Sequence, residues 1–225
     1  MTFLVNEPEG PKFTMMWWKN CFKIVAIGRN YPLHAKELGN AVPSKPFWFL
    51  KPPSAILQNG GTILIPEGLP EIHYEVELGV VIGQGGKDIP LSKAMDHISG
   101  YCLGIDMTAR IWQDEAKKKG LPWTAAKGFD TSLPLGDFVP KNRVSDPSSL
   151  TLWLKVNDII KQHGSTRDML FPVPSLVSEV SKVHSLTTGD IILTGTPAGV
   201  GPVRTNDVIT AGIEELGVDV RFTVT

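Results

Sequence analysis

The stretch IHYEVELGVVIG, residues Ile72–Gly83, decides how the chain is read. Side chains alternate along a strand, so Tyr74, Val76, Leu78, Val80 and Ile82 make one continuous apolar face. His73, Glu75, Glu77, Gly79 and Val81 share the other face. Carboxylates at i and i+2 sit about 7 Å apart. On a wet face such a pair is ordinary solvated surface. On a buried face at least one carboxyl protonates unless a positive charge stands beside it. A divalent cation keeps both ionised, and oxygen donors suit Mg²⁺ or Mn²⁺. Period alone leaves both readings open.

Outward from this strand, the 225 residues include 22 Gly and 18 Pro, which cut the chain into many short apolar stretches. Strands are predicted in FKIVAIGRN, KPFWFLKPPSAIL, GTILIPEG, GYCLGID, GDIILTG, DVITAGI and VDVRFTVT. LTLWLKVND and IIKQHGST read as a hairpin around Asn157-Asp158. Short helices are predicted in NYPLHAKELGN, capped by Asn30 and stopped by Gly39, and in PLSKAMDHI, TARIWQDEAKKKG and VPSLVSEVSKVHSL. This is a mainly β, α+β pattern, as in a sandwich, roll or barrel. Residues 1–20 read as an extension and 21–225 as one domain.

Composition narrows the function classes. With 42% hydrophobic and 20% charged residues the chain can bury a core, and a net charge of −1 offers no field for nucleic acid or an anionic membrane. No apolar run is long enough to span a bilayer, so a soluble protein is expected. Cys21 and Cys102 form no CxxC and have no zinc-ligand spacing, which fits a reducing compartment. The opening residues match neither a secretory signal nor an arginine-rich transit peptide. Cytosol and mitochondrion both stay open.

Several other residues could carry chemistry. Asp106 ends an apolar strand just before a helix, as either a third carboxylate of a site or a cap. His34 and Glu37 stand at i and i+3, where a carboxylate can raise the basicity of an imidazole that activates water. An idle surface pair has the same spacing. Arg110 and Gln113 share a helix face from which an arginine can grip a carboxylate. Lys127 follows small residues in WTAAKGFD, either beside a ligand or as plain surface. In LTGTPAGVGP, backbone N–H groups could bind an anion, but the Gly-Lys-Ser/Thr of a P-loop is missing.

In order, VAIGRNYPLHAKELGNAVP, FLKP, HYEVELGVVIG, GYCLGIDMTARIWQDEAKKKGLPWTAAKGFD and GDIILTGTPAGVGP resemble the fumarylacetoacetate hydrolase family. The likeness is to its short acylpyruvase and oxaloacetate decarboxylase branch. That resemblance implies a mixed β-sandwich roll and a Mg²⁺ (or Mn²⁺) site on Glu75, Glu77 and Asp106. It implies a catalytic His34–Glu37 pair on a short lid helix, with Lys127 neutralising developing charge. Arg110, Gln113, Lys127 and Thr196 would bind substrate. The implied activities are hydrolysis of 3-acylpyruvates such as acetylpyruvate and fumarylpyruvate, and decarboxylation of oxaloacetate. Alternatives are an enol-oxaloacetate tautomerase and a non-catalytic dicarboxylate-binding protein. A homodimer and a mitochondrial location are implied as well.

Overall fold

The computed structural model describes residues 17–39 and 41–225, so most of the predicted extension over residues 1–20 lies outside the described residues. Its strands, in chain order, are β1 (Ile24–Ile27), β2 (Trp48–Lys51), β3 (Ile56–Gln58), β4 (Thr62–Ile63) and β5 (Ile72–Tyr74). Next come β6 (Val76–Ile82), β7 (Ile98–Ile105), β8 (Leu133–Leu135), β9 (Val139–Pro140) and β10 (Thr151–Val156). The series ends with β11 (Ile159–Ser165), β12 (Ile191–Leu193), β13 (Gly201–Val203), β14 (Val208–Ile213) and β15 (Val218–Val224). Among the described residues four α-helices join them: α1 (Pro32–Glu37), α2 (Arg110–Lys119), α3 (Thr124–Lys127) and α4 (Val173–Val183).

An eight-stranded sheet runs β2-β1-β12-β6-β7-β8-β3, with β9 on β7. A five-stranded sheet runs β11-β10-β14-β15-β4, and β13 pairs with β5. Parallel β1–β12, β3–β8 and β15–β4 pairs among antiparallel ones make the fold mixed. The expected mainly β, α+β class, with mixed sheets and short helices, is what forms.

Strand β6 lies between β12 and β7, and all seven of its residues are buried. Val76, Leu78, Val80 and Ile82 join Leu152, Leu154, Ile209 and Phe222 of the second sheet, and Leu176 and Val180 of α4, in the main core. Val81, on the opposite face, packs with Ile24, Cys102, Ile191 and Leu193 in a second cluster. Gly79 is required there, because a Cβ would lie 2.5 Å from Cys102 Sγ.

The structure corrects the single strand expected across residues 72–83. It breaks at Glu75: β5 leaves to pair with β13, Tyr74 opposite Gly201, while β6 stays in the large sheet. The neighbouring β12 ends where Gly195 takes a left-handed conformation, φ +95°, so the edge of β5 passes to another strand. Asn30 is not a helix cap. Its amide donates to the Phe171 and Thr194 carbonyls at 3.0 and 2.8 Å and accepts from Phe171 N–H, tying three segments together. GTILIPEG holds only two strand residues before Pro66 interrupts it. PLSKAMDHI forms a 3₁₀ helix over Leu91–His97.

Other local expectations hold. Asn157 and Asp158 both have positive φ, +49° and +65°, as a two-residue type I′ hairpin requires. Gly120, φ +64°, terminates α2. Phe222→Ala should lower unfolding free energy by about 3–5 kcal/mol. Exposed Ile159→Ala should change it by about 0.5 kcal/mol or less in the same denaturant titration. Equal effects would contradict the core assignment.

Candidate functional site

The break at Glu75 aims its side chain toward the turn where β7 hands over to α2. Asp106 N–H donates to the Glu75 carbonyl at 2.8 Å, and His73 and Thr108 exchange backbone bonds beside it. Glu75, Glu77 and Asp106 therefore converge, with carboxylate oxygens within 4.8 Å of one another. Their exposures are 6%, 2% and 1%, which removes the wet-face reading. Asp106 caps no helix: its oxygens go to Lys51 at 2.6 Å and Lys127 at 2.6 Å.

Lys127 is no surface lysine. At 2% exposure its ammonium reaches Glu75 Oε2 at 2.9 Å, Asp106 Oδ2 and the Thr108 hydroxyl, and sits 4.9 Å from the Phe49 ring centroid. Arg110 opens α2, with one arm on Glu75 Oε1 at 2.5 Å and another on Gln113 Oε1 at 2.6 Å. Its Nε is buried without a partner. Lys51, buried at the end of β2, also donates to the Met107 and Lys127 carbonyls.

Glu77 is held differently. Its Oε2 accepts from Gly195 N–H at 2.7 Å, and among the described residues no cation pairs with it. The loop expected to bind an anion thus spends one N–H on Glu77 and another, from Gly199, on Glu37 at 3.1 and 3.2 Å. Thr196, on the same loop, is buried and accepts from Gln162 Nε2 at 2.8 Å. Gln162 also takes the Val76 N–H, so it braces the loop and the strand break together.

His34 is buried on α1, with Nδ1 3.5 Å from Glu37 Oε2 and no formed hydrogen bond. The pair is adjacent but loose, as such pairs often are before substrate arrives. One cleft of about 30 Å³, room for a water or two, is lined by His34, Glu75, Glu77, Asp106, Arg110, Gln113, Lys127 and Thr196. Glu37 alone of the sequence-predicted residues stands off its wall, held to Gly199. Sequence reasoning gave no role to Lys51, Gln162 or Arg29. A lone lysine in the apolar PFWFLKP was the available signal for Lys51, by the logic that singled out Asp106. Gln162 carried no such signal.

The charges interact strongly. Burial pushes the Glu75 carboxyl up, but Lys127, Arg110 and His34 together hold it below the ordinary range. Burial, aided by Asp106 and Glu75, pushes Glu77 well above that range despite the Gly195 N–H. Burial pulls the Lys51 ammonium down against the attraction of Asp106. Lys127 resists the same burial because Asp106 and Glu75 both favour its charge. Burial also lowers His34, favouring neutral imidazole.

This donor set fits a divalent cation. Three hard oxygen ligands converge, and Glu77 is the buried carboxylate that lacks a cation. Folded Glu77 binds its proton more tightly than the unfolded chain, whose ordinary value is 4.5. Its share of stability is complete below that value and is lost as pH rises through the folded-state value. In chelator, Glu77→Gln should flatten this part of the pH–stability curve. An unaltered curve would contradict the assignment.

The chain is similar to known proteins over most of its length. The family described as "Fumarylacetoacetate (FAA) hydrolase C-terminal" matches residues 23–225. A mitochondrial oxaloacetate decarboxylase of Dictyostelium discoideum is 52% identical over 209 residues, 92% of this chain and 96% of that one. The mitochondrial oxaloacetate tautomerase FAHD1 of Arabidopsis thaliana is 56% identical over 207 residues, 92% of each chain. The crystal structure of fumarylpyruvate hydrolase from Pseudomonas aeruginosa, in complex with Mn²⁺ and pyruvate, superposes with a TM-score of 0.86. It is 35% identical, covering 91% of this chain and 90% of that one. A fold, a carboxylate cluster and this degree of identity lead to one conclusion: the chain belongs to the fumarylacetoacetate hydrolase family.

Proposed function

We propose that residues 21–225 form one catalytic domain that cleaves 3-acylpyruvates and converts oxaloacetate, with Mg²⁺ held by Glu75, Glu77 and Asp106. The observation that carries this reading is the buried carboxylate triad set among Lys51, Lys127 and Arg110 in the cleft that also holds His34. With all three carboxylates ionised, as a bound cation would hold them, they match Lys51, Lys127 and Arg110 in charge. A divalent ion adds two positive charges, so the loaded site suits a substrate with two anionic oxygen groups. Bound there, the ion would supply Lewis-acid polarisation of a 2-oxo acid's carboxylate and keto oxygens.

The chain's own residues do the rest. Arg110, Gln113 and Thr196 orient the substrate's carboxylate end. Lys127 neutralises negative charge that develops as a C–C bond breaks. Neutral His34, with Glu37 behind it, takes a proton from the water that attacks the distal carbonyl of an acylpyruvate. Decarboxylation of oxaloacetate needs no such water.

Tautomerisation of enol-oxaloacetate is the second reading, and the name of the Arabidopsis relative, an oxaloacetate tautomerase, favours it. A passive dicarboxylate carrier would not need buried, loosely held His34. Mitochondrial residence is supported by the names of the relatives. A homodimer is supported by apolar Phe22, Leu50 and Leu121, exposed along a groove at edge strand β2. Sedimentation velocity should give the mass of two chains, and a monomer at all concentrations would contradict it.

Acetylpyruvate hydrolysis, oxaloacetate decarboxylation and enol–keto exchange should all collapse in EDTA and return with Mg²⁺. His34→Ala should lower acetylpyruvate hydrolysis by about 10²–10⁴-fold and spare decarboxylation by comparison. Full turnover in chelator would sink the metal-dependent reading.

A further inference from the structure

Arg29 lines the same cleft and has no part in the chemistry above. It is held in the left-handed region, φ +55°, which an arginine adopts only against steric strain. Its guanidinium lies 5.5 Å from the centroid of the Phe47 ring. That ring is itself fixed. Gly28 gives it room, since a Cβ would lie 2.3 Å from Phe47 Cζ, and Trp123 packs edge-on at 6.3 Å. Of the cleft's other cations, Arg110 and Lys127 are committed to Glu75, and Lys117 pairs with Asp114 at 3.2 Å. Among the described residues, Arg29 alone of the cleft's cations has no acidic partner. A strained backbone thus presents one uncommitted, planar, permanently charged donor on an aromatic platform.

Resting on the function proposed above, we infer that Arg29 grips the distal carboxylate of a dicarboxylic 2-oxo acid and so steers oxaloacetate toward enol–keto exchange rather than decarboxylation. In exchange, the enol O–H proton leaves, a C3–H bond forms, and the distal carboxylate keeps its charge throughout. In decarboxylation the C3–C4 bond breaks, its electron pair enters the enolate, CO₂ departs, and C3 is then protonated. The carboxylate's charge disappears from C4 as that bond breaks. A guanidinium on C4 therefore stabilises the ground state more than the transition state of decarboxylation, while the exchange reaction keeps the full benefit. Acetylpyruvate ends in a methyl ketone and offers Arg29 no charge to hold.

The test compares the parent with Arg29→Gln and Arg29→Lys, in Mg²⁺, on both substrates. Arg29→Gln should raise KM for oxaloacetate in exchange by about 10- to 100-fold, the range for losing a charged hydrogen-bond partner. It should also raise the ratio of pyruvate formed to enol exchanged several-fold, while acetylpyruvate cleavage changes by about threefold or less. Arg29→Lys should recover part of the lost affinity. Arg29→Gly, which adopts this φ freely, separates a folding defect from a binding one and should behave as Arg29→Gln does. Equal losses on both substrates, or an unchanged pyruvate-to-exchange ratio, would overturn the inference. A parent protein inert toward both substrates would overturn the underlying reading, and this inference with it.

Discussion

Three carboxylates buried within a few ångströms of one another are the constraint to which the rest of the molecule answers. Each buried charge costs several kcal/mol in lost hydration unless opposite charge or aligned hydrogen bonds replace the water. Lys51, Lys127 and Arg110 arrive from β2, α3 and the start of α2, so three separate elements must close on one point. The fourth contributor is backbone: Gly195 turns β12 out of the sheet and points its N–H at Glu77. Glu75 and Asp106 each keep a second cation if one is lost, whereas among the described residues Glu77 rests on the Gly195 N–H. The fold's odd features, such as the break at Glu75 and the left-handed Gly195, are where that convergence is built.

Much of this was legible in the chain. The alternation in residues 72–83 located the main core face, and Tyr74, Val76, Leu78, Val80 and Ile82 all pack there. The hairpin at Asn157-Asp158 and the stop at Gly120 followed from local turn chemistry. Glu75, Glu77 and Asp106 were named because charges in apolar strands demand an explanation, and they do meet. Lys51 follows the same rule, but a single lysine near prolines reads equally well as a strand end. Gln162 was invisible because it sits in an ordinary polar hairpin, and only tertiary packing brings it to Thr196. Asn30 misled through its local context: it precedes a helix, yet its amide bonds lie 141 and 164 residues away in sequence. Local propensity reads nearest neighbours, and these roles are set by distant ones.

The loop from Thr194 to Gly201 shows how one segment serves several ends. Gly195 N–H steadies Glu77, Gly199 N–H docks Glu37, and Thr196 faces the cleft under the hold of Gln162. The same backbone donors that could have bound a free anion instead fix the carboxylates on which the proposed chemistry depends. Position and charge are set before a substrate arrives, which is how electrostatic stabilisation gains its advantage over water.

That the triad is a metal site is tested most directly by denaturant unfolding with and without Mg²⁺. A ligand that binds only the folded state stabilises it, by about 2.7 kcal/mol at a hundred times its Kd. The parent protein should gain stability progressively with Mg²⁺, and Asp106→Asn, keeping the shape but losing a ligand charge, should gain far less. A parent unfolding curve indifferent to Mg²⁺ would contradict the claim.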